Sequence, residues 1–234
     1  MSRNLFITGT GTDMGKTYVT ALIVKKLREE GERAAYYKAA MSGNRKGDDG
    51  RLIPGDSWYV KHISGISQPL EEMCSYVYEA AVSPHLAACM EGNPVEMDQV
   101  LKDFDAVCGR YNYVTVEGSG GILCPLRFDR QKILLEDFIR ARNLNCLIVA
   151  DAGLGTINSV VLTAEYMKSR GITVRGIILN HYETGNRLHE DNAFMCRILT
   201  GLDVVAYVKD GDTDLDIPVE RLKALYEENG GKKP

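Results

Sequence analysis

The residues best placed to do chemistry are Gly9-Thr10-Gly11-Thr12-Asp13-Met14-Gly15-Lys16-Thr17. Glycines permit backbone conformations that turn successive N–H groups inward onto phosphate oxygens. The helix that follows adds its positive N-terminal end. Lys16 is in reach of β- and γ-phosphates, and the Thr17 hydroxyl is placed to ligate Mg²⁺. The spacing departs from the common G-x-x-x-x-G-K-[ST] pattern: counting back from Gly15 puts Thr10 at the first position, with Gly9 one residue early. A plain glycine turn between strand and helix is the competing reading. The order strand, loop, Gly-Lys-Thr, helix favours a site for a nucleoside triphosphate with magnesium, bordered by Asp13, Met14, Gly15 and Tyr18.

Four further places follow apolar strands, where ligands of a doubly wound sheet sit. Lys38, in Tyr37-Lys38-Ala39-Ala40-Met41-Ser42-Gly43, could stabilise a transferring phosphoryl group, or be a solvated strand-end lysine. Glu117, in Glu117-Gly118-Ser119-Gly120-Gly121, matches the second magnesium holder of such ATPases. It could equally be a carboxylate in a glycine turn. Asp151-Ala152-Gly153-Leu154-Gly155-Thr156-Ile157-Asn158 offers a second anion site, suited to a carboxylate. Helix capping by Thr156 or Asn158 is the alternative. Asn180-His181 could read a base edge through paired amide hydrogen bonds, or form a turn. The four histidines (62, 85, 181, 189) show no metal-ligand spacing, and Ser83-Pro84-His85 reads as a helix start with Ser83 as N-cap.

These residues need a frame to position them. Apolar runs near 5–8, 34–38, 113–116, 146–150, 174–180 and 204–208 read as strands. Helical periods fall near 16–30, 56–63, 84–90, 94–108, 156–170, 189–199 and 218–228. Residues 41–55 read as a long loop. Continuously apolar strands followed by helices predict an α/β fold: a single-domain, doubly wound, mostly parallel sheet of the P-loop NTPase type, over residues 1–230, with 231–234 a frayed tail. A hydrophobic fraction of 44% in 234 residues suits one substantial core, and the net charge of −4 argues against a nucleic-acid partner. Six scattered cysteines suggest neither zinc nor disulfides. With no signal-like start and no run of about 20 apolar residues, the expectation is a cytoplasmic protein without membrane contact.

Taken together, the Gly9–Gly15 spacing, Tyr37-Lys38 with Ser42-Gly43, Ser83-Pro84-His85, Val116-Glu117-Gly118-x-Gly120-Gly121, Gly155-x-Ile157-Asn158 and Asn180 resemble the dethiobiotin synthetase family over most of the chain. The resemblance implies ATP- and Mg²⁺-dependent closure of a cyclic urea from 7,8-diaminopelargonate and CO₂, giving ADP and phosphate through an N-carbamate and a carbamic–phosphoric anhydride. It implies that Lys38, Lys16 and Thr12 act on the reacting groups, and that Thr17, Asp56 and Glu117 hold Mg²⁺. Thr12 and Ser42 would contact the diamine or its carbamate, while Asn180, with His181 beside it, would contact the base. Gly118, Ser119 and Gly120 complete the nucleotide site. The family is a homodimer whose substrate carboxylate lies on the partner's turn, here Gly153, Leu154, Gly155 and Asn158. Departures are Ala39 where many relatives have proline, Asp13 where many have glutamate, and poor agreement at 44–55 and 208–210. A switch ATPase of the partition or site-placement class is the alternative, but it usually has an extra lysine early in the loop, where this chain has Gly9-Thr10-Gly11-Thr12.

Overall fold

The computed structural model describes residues 2–227. In chain order the elements are β1 (Arg3–Gly9), α1 (Lys16–Glu29), β2 (Ala34–Met41), β3 (Arg45–Lys46), β4 (Leu52–Ile53), α2 (Gly55–Ser64), β5 (Cys74–Val77), α3 (Pro84–Met90), α4 (Met97–Cys108) and β6 (Tyr113–Gly121). There follow β7 (Pro125–Phe128), β8 (Lys132–Leu134), α5 (Leu135–Ala141), β9 (Asn145–Asp151), α6 (Thr156–Ser169), β10 (Val174–Asn180), α7 (Arg187–Thr200), β11 (Val204–Tyr207) and α8 (Val219–Leu225).

Seven strands form one sheet in the order β11-β10-β9-β1-β6-β2-β5, with every neighbouring pair parallel. Alternation along the strands explains why helices cover both faces. In β1, Leu5 and Ile7 pack with Val19, Leu22 and Ile23 of α1, whereas Phe6 packs with Phe104 of α4 and Phe138 of α5. Tyr36 and Tyr37 of β2 divide in the same way. Both sides of each strand are therefore apolar, which a parallel sheet sandwiched between helices requires. The chain runs from β1 outward to β2 and β5, returns through β6, then crosses to β9 on the other side. The switch in strand order thus falls at β1, and its carboxyl end is where a ligand crevice opens.

The predicted loop at 41–55 is corrected. β2 runs on to Met41, and β3 and β4 pair as an antiparallel ribbon. Asn44, almost fully buried, ties this segment down: Nδ2 donates to the Met41 and Tyr78 carbonyls (3.0 and 2.8 Å), and Oδ1 accepts the Gly55 N–H at 2.8 Å. That anchors the start of α2, which carries Asp56. The edge strand β5, the antiparallel β7–β8 ribbon and α5 had no counterpart in the sequence reading. Part of the predicted 218–228 helix, and the tail at 231–234, lie outside the described residues.

Candidate active site

At the carboxyl ends of β1, β6 and β2 the strand register sets Lys38 beside Glu117 and Glu117 beside Ile7. The Lys38 ammonium, almost fully buried, donates to Asp56 Oδ2 at 2.7 Å and to Glu117 Oε1 at 2.8 Å. Thr17 Oγ1 donates to the same Glu117 Oε1 at 2.9 Å, and the Tyr36 hydroxyl to Oε2 at 3.1 Å. Burial opposes the charge on Lys38, but the facing Glu117 and Asp56 carboxylates outweigh it and raise its pKa above the ordinary lysine value. Burial also works against ionised Asp56, yet its attraction and hydrogen bond to Lys38 hold it below the usual carboxylate range. This is no solvated strand-end lysine. It is a fixed cation between two carboxylates.

Lys16 lies across the loop with Nζ donating to the Gly11 carbonyl at 2.7 Å. Burial, then the like charge of Lys38, lowers its pKa, partly offset by Glu117, Asp56 and Asp13. The early glycine of the loop has a steric reason: a Cβ at Gly9 would meet Gly11 O and Lys16 Nζ at 3.0 Å. Gly15 is left-handed (φ 78°), and a Cβ there would stand 2.1 Å from Asn180 Nδ2. Asp13 also has positive φ (60°).

These groups open into a cavity of about 610 Å³. It gathers Thr12, Asp13, Gly15, Lys16, Thr17 and Tyr18 from the loop and helix start, with Lys38, Ser42, Asp56, Glu117 and Gly120 opposite. Gly55 and Tyr59 join them, and sequence reasoning missed both. Other expected residues are in the frame instead. A Cβ at Gly118 would meet the Phe6 ring at 3.0 Å, so this glycine admits core packing. Ser119 Oγ donates to the Ala40 carbonyl at 2.9 Å, tying β6 to β2. Met14 meets the site through its carbonyl, which accepts from Asn180 Nδ2 at 3.3 Å.

The donor set suits magnesium. Thr17, Asp56 and Glu117 offer hard oxygen atoms, and among the described residues no cluster of three or more His, Cys, Asp or Glu forms a complete protein cage. Two carboxylates and a hydroxyl leave room for phosphate and water ligands, the way Mg²⁺ is usually bound.

Asn180 and His181 do not line this cavity; Asn180 is fully buried behind the loop, against Gly15 and Met14. Both Asn180 N–H groups are turned to protein, one to Met14 O and one to His181 Nε2 (3.1 Å), so paired reading of a base edge is not available in this arrangement. His181 Nδ1 lies 2.6 Å from Asp151 Oδ2, and Asp151 Oδ1 accepts the Gly153 N–H at 2.6 Å. Burial raises the Asp151 pKa, but the bonds from His181 and Gly153 hold it below its ordinary value. Asn192 Nδ2 donates to the Ala152 and Gly153 carbonyls and fixes the same turn. Side-chain capping does not explain this turn: the N-cap of α6 is left-handed Gly155 (φ 91°), and Thr156 Oγ1 is buried without a partner. Gly155 thus repeats, before α6, the conformation that Gly15 takes before α1. Leu154 projects at 93% exposure, while Asn158 lies in the first turn of α6. Ser83 does occupy the N-cap of α3, but its side chain makes no capping bond.

A family model described as an AAA domain matches residues 3–212. The ATP-dependent dethiobiotin synthetase BioD of Clostridium botulinum (strain Loch Maree) is 46% identical over 228 residues, covering 97% of this chain and 100% of that protein. That of Brachyspira hyodysenteriae is likewise 46% identical over 228 residues, with the same coverage. Among solved structures, a ParA family ATPase from Chlorobium tepidum gives a TM-score of 0.53 at 16% identity, over 96% of this chain and 89% of that one. The Aquifex aeolicus MinC:MinD cell division protein complex gives 0.54 at 15%, over 96% and 86%. At such identities the likeness is one of fold.

Proposed function

The chain belongs to the ATP-dependent dethiobiotin synthetase family, and from that premise we propose that it joins 7,8-diaminopelargonate and CO₂ into the cyclic urea of dethiobiotin at the expense of ATP. The observation that carries the reading is Lys38, a buried ammonium between Asp56 and Glu117 on the wall facing the Lys16 loop. A carbamate that must be phosphorylated brings negative charge against a triphosphate. Fixed cations aimed at that charge are the main thing a protein can supply.

In this mechanism one amine of the substrate takes up CO₂ as an N-carbamate, steadied by Lys38, with Thr12 and Ser42 contacting the diamine. The carbamate oxygen attacks the γ-phosphorus, and ADP leaves. Lys16 holds the phosphates, and Asp13, Gly15, Tyr18 and Gly120 border the nucleotide. The second amine then attacks the carbonyl of the carbamic–phosphoric anhydride, expels phosphate and closes the ring. Thr17, Asp56 and Glu117 would hold Mg²⁺, which neutralises charge on phosphate oxygens. Holding amine, carbamate and phosphoryl group together supplies much of the remaining rate. Asn180 contacts the base. Gly153, Leu154, Gly155 and Asn158 of a second copy receive the substrate carboxylate, so the enzyme works as a homodimer in the cytoplasm. Exposed Leu154, Leu162, Phe194 and Ile198, on the turn and on the packed pair α6 and α7, support such an assembly.

Labelled bicarbonate supplied with the diamine and Mg·ATP should appear in dethiobiotin, with ADP and phosphate released only when both are present. Hydrolysis indifferent to the diamine but stimulated by DNA or lipid would instead place the chain with the switch ATPases, whose fold it shares.

A further inference from the structure

Asn180 is fully buried at the end of β10, and its Oδ1 has no hydrogen-bond partner among the described residues. The orientation of the amide follows from its neighbours. Met14 O can only accept, so the Asn180 atom 3.3 Å from it is the nitrogen. The other N–H faces His181 Nε2 at 3.1 Å, and Asp210 Oδ1, at 3.7 Å from the same nitrogen, is too far to take a hydrogen bond from it. Nε2 is therefore bare and accepts from Asn180, since a proton there would set donor against donor. The ring proton then sits on Nδ1, 2.6 Å from Asp151 Oδ2. Asp151 is ionised, as its lowered pKa indicates, and the Gly153 N–H anchors its other oxygen. Donation runs one way along the chain, from Asn180 to His181 to Asp151. His181 enters this chain at φ 54°, a conformation uncommon for a residue with a side chain.

We propose that Asp151 and His181 are positioning residues that lock the Asn180 amide with its oxygen as the one free group, so that the base site accepts a hydrogen bond from a ring amino group and rejects a ring carbonyl in the same place. This rests on the reading of Asn180 as the base-contacting residue. A 6-amino purine supplies the missing donor. A 6-oxo purine sets an acceptor against an acceptor and leaves a buried polar atom unpaired, which is how a site built for a hydrogen bond discriminates most strongly. Oδ1 is closed to solvent in this structure, so the groups packed around it shift as the base arrives. Nearby, Lys209, Asp210 and Gly211 are exposed, and half-buried Asp212 ties their turn to the pocket rim by accepting from the Tyr18 hydroxyl.

The test compares kcat/KM for ATP and inosine triphosphate in the unmodified enzyme, His181→Ala, His181→Gln and Asn180→Ala, with melting temperatures to confirm folding. The unmodified enzyme should prefer ATP by about tenfold or more, the worth of one well-placed hydrogen bond with its unpaired alternative. His181→Ala should bring the ratio toward one, chiefly through the KM for ATP. His181→Gln, which again offers an acceptor to Asn180 and an N–H to Asp151, should recover part of it. A general loss of structure would lower both rates together and leave the ratio unchanged. If Asn180→Ala erases the preference while His181→Ala keeps it, the positioning role is overturned and the base contact stands. If Asn180→Ala keeps the preference, the base contact itself is wrong. An unmodified enzyme indifferent to the two nucleotides overturns the proposal outright.

Discussion

Two lysines share one cavity, and their surroundings give them different work. Lys38 has lost its water and gained two carboxylates, so it is a permanent cation held in one place. Lys38→Ala should lower kcat by about 10²–10³-fold, the scale for removing one preorganised stabilising group, with ATP affinity changed only a few-fold. Stopped-flow nucleotide binding beside steady-state rates checks this, and a variant that lost ATP binding but kept its chemical step would contradict the role. Lys16 bonds its own loop, and Lys16→Ala should weaken triphosphate binding by about 10–100-fold, the worth of a charge-assisted contact. The ion pair also predicts a pH dependence. Asp56 titrates below its ordinary 3.8, so its pairing stabilises the fold above that pH and is lost as pH falls through the folded value. Lys38 is raised above 10.5, so its contribution is complete below 10.5 and fades only as pH rises past the folded value. The melting-temperature gap between the unmodified chain and Asp56→Asn should therefore stay level from about pH 5 to about pH 9 and narrow below pH 3.8. A gap that narrowed near neutrality would mean that another group controls it.

The loop between β1 and α1 shows what an element adds to its residues. Gly15 is confined twice, by its left-handed φ and by Asn180, which reaches it from another strand. An alanine there carries about 1–2 kcal/mol of backbone strain in addition to the clash. Gly15→Ala should abolish the rise in melting temperature that Mg·ATP produces. Adding Asn180→Ala should recover stability without nucleotide but only part of the loss, because the strain in φ remains. Full recovery would show that the φ constraint is unimportant. This double constraint was half legible in sequence: Gly-Lys-Thr after an apolar strand announced the loop, while its contact with Asn180 depends on sheet order. The same division holds elsewhere. β1, β6, β9 and β10 were readable because burial on both faces makes them continuously apolar. β5 is a four-residue edge strand without such a run, and the seven-residue α5 lacks the Ser-Pro start that marks the equally short α3, even though Leu135, Phe138 and Ile139 are buried. Asn44 was invisible for another reason. Its importance is three hydrogen bonds to backbone groups that folding brings together, and no local pattern encodes that.

At the scale of the whole molecule, the sheet puts two glycine turns of matching geometry on one rim, Gly15 before α1 and Gly155 before α6. The chain of bonds from Asn180 through His181 and Asp151 to Gly153 joins them within one copy. In the proposed homodimer each complete site takes its phosphate loop from one copy and its carboxylate turn from the other. A two-fold assembly of this kind makes a subunit-mixing test decisive. Lys38→Ala disables the loop side and Asn158→Ala weakens the turn side, so each variant homodimer should be impaired. After unfolding and joint refolding in equal amounts, half the dimers are mixed. Each of these contains one site with both defects and one with neither. Activity should return to about a quarter of the unmodified level per protomer, given random pairing of equal subunits. If each site were built within a single copy, mixing would only average the two defective rates, and no recovery would appear. Phe194→Glu on α7 supplies the companion measurement: a charge in the exposed apolar face should shift sedimentation toward the monomer and lower activity in parallel. A monomer that kept full turnover would separate assembly from catalysis and return the carboxylate turn to its own subunit.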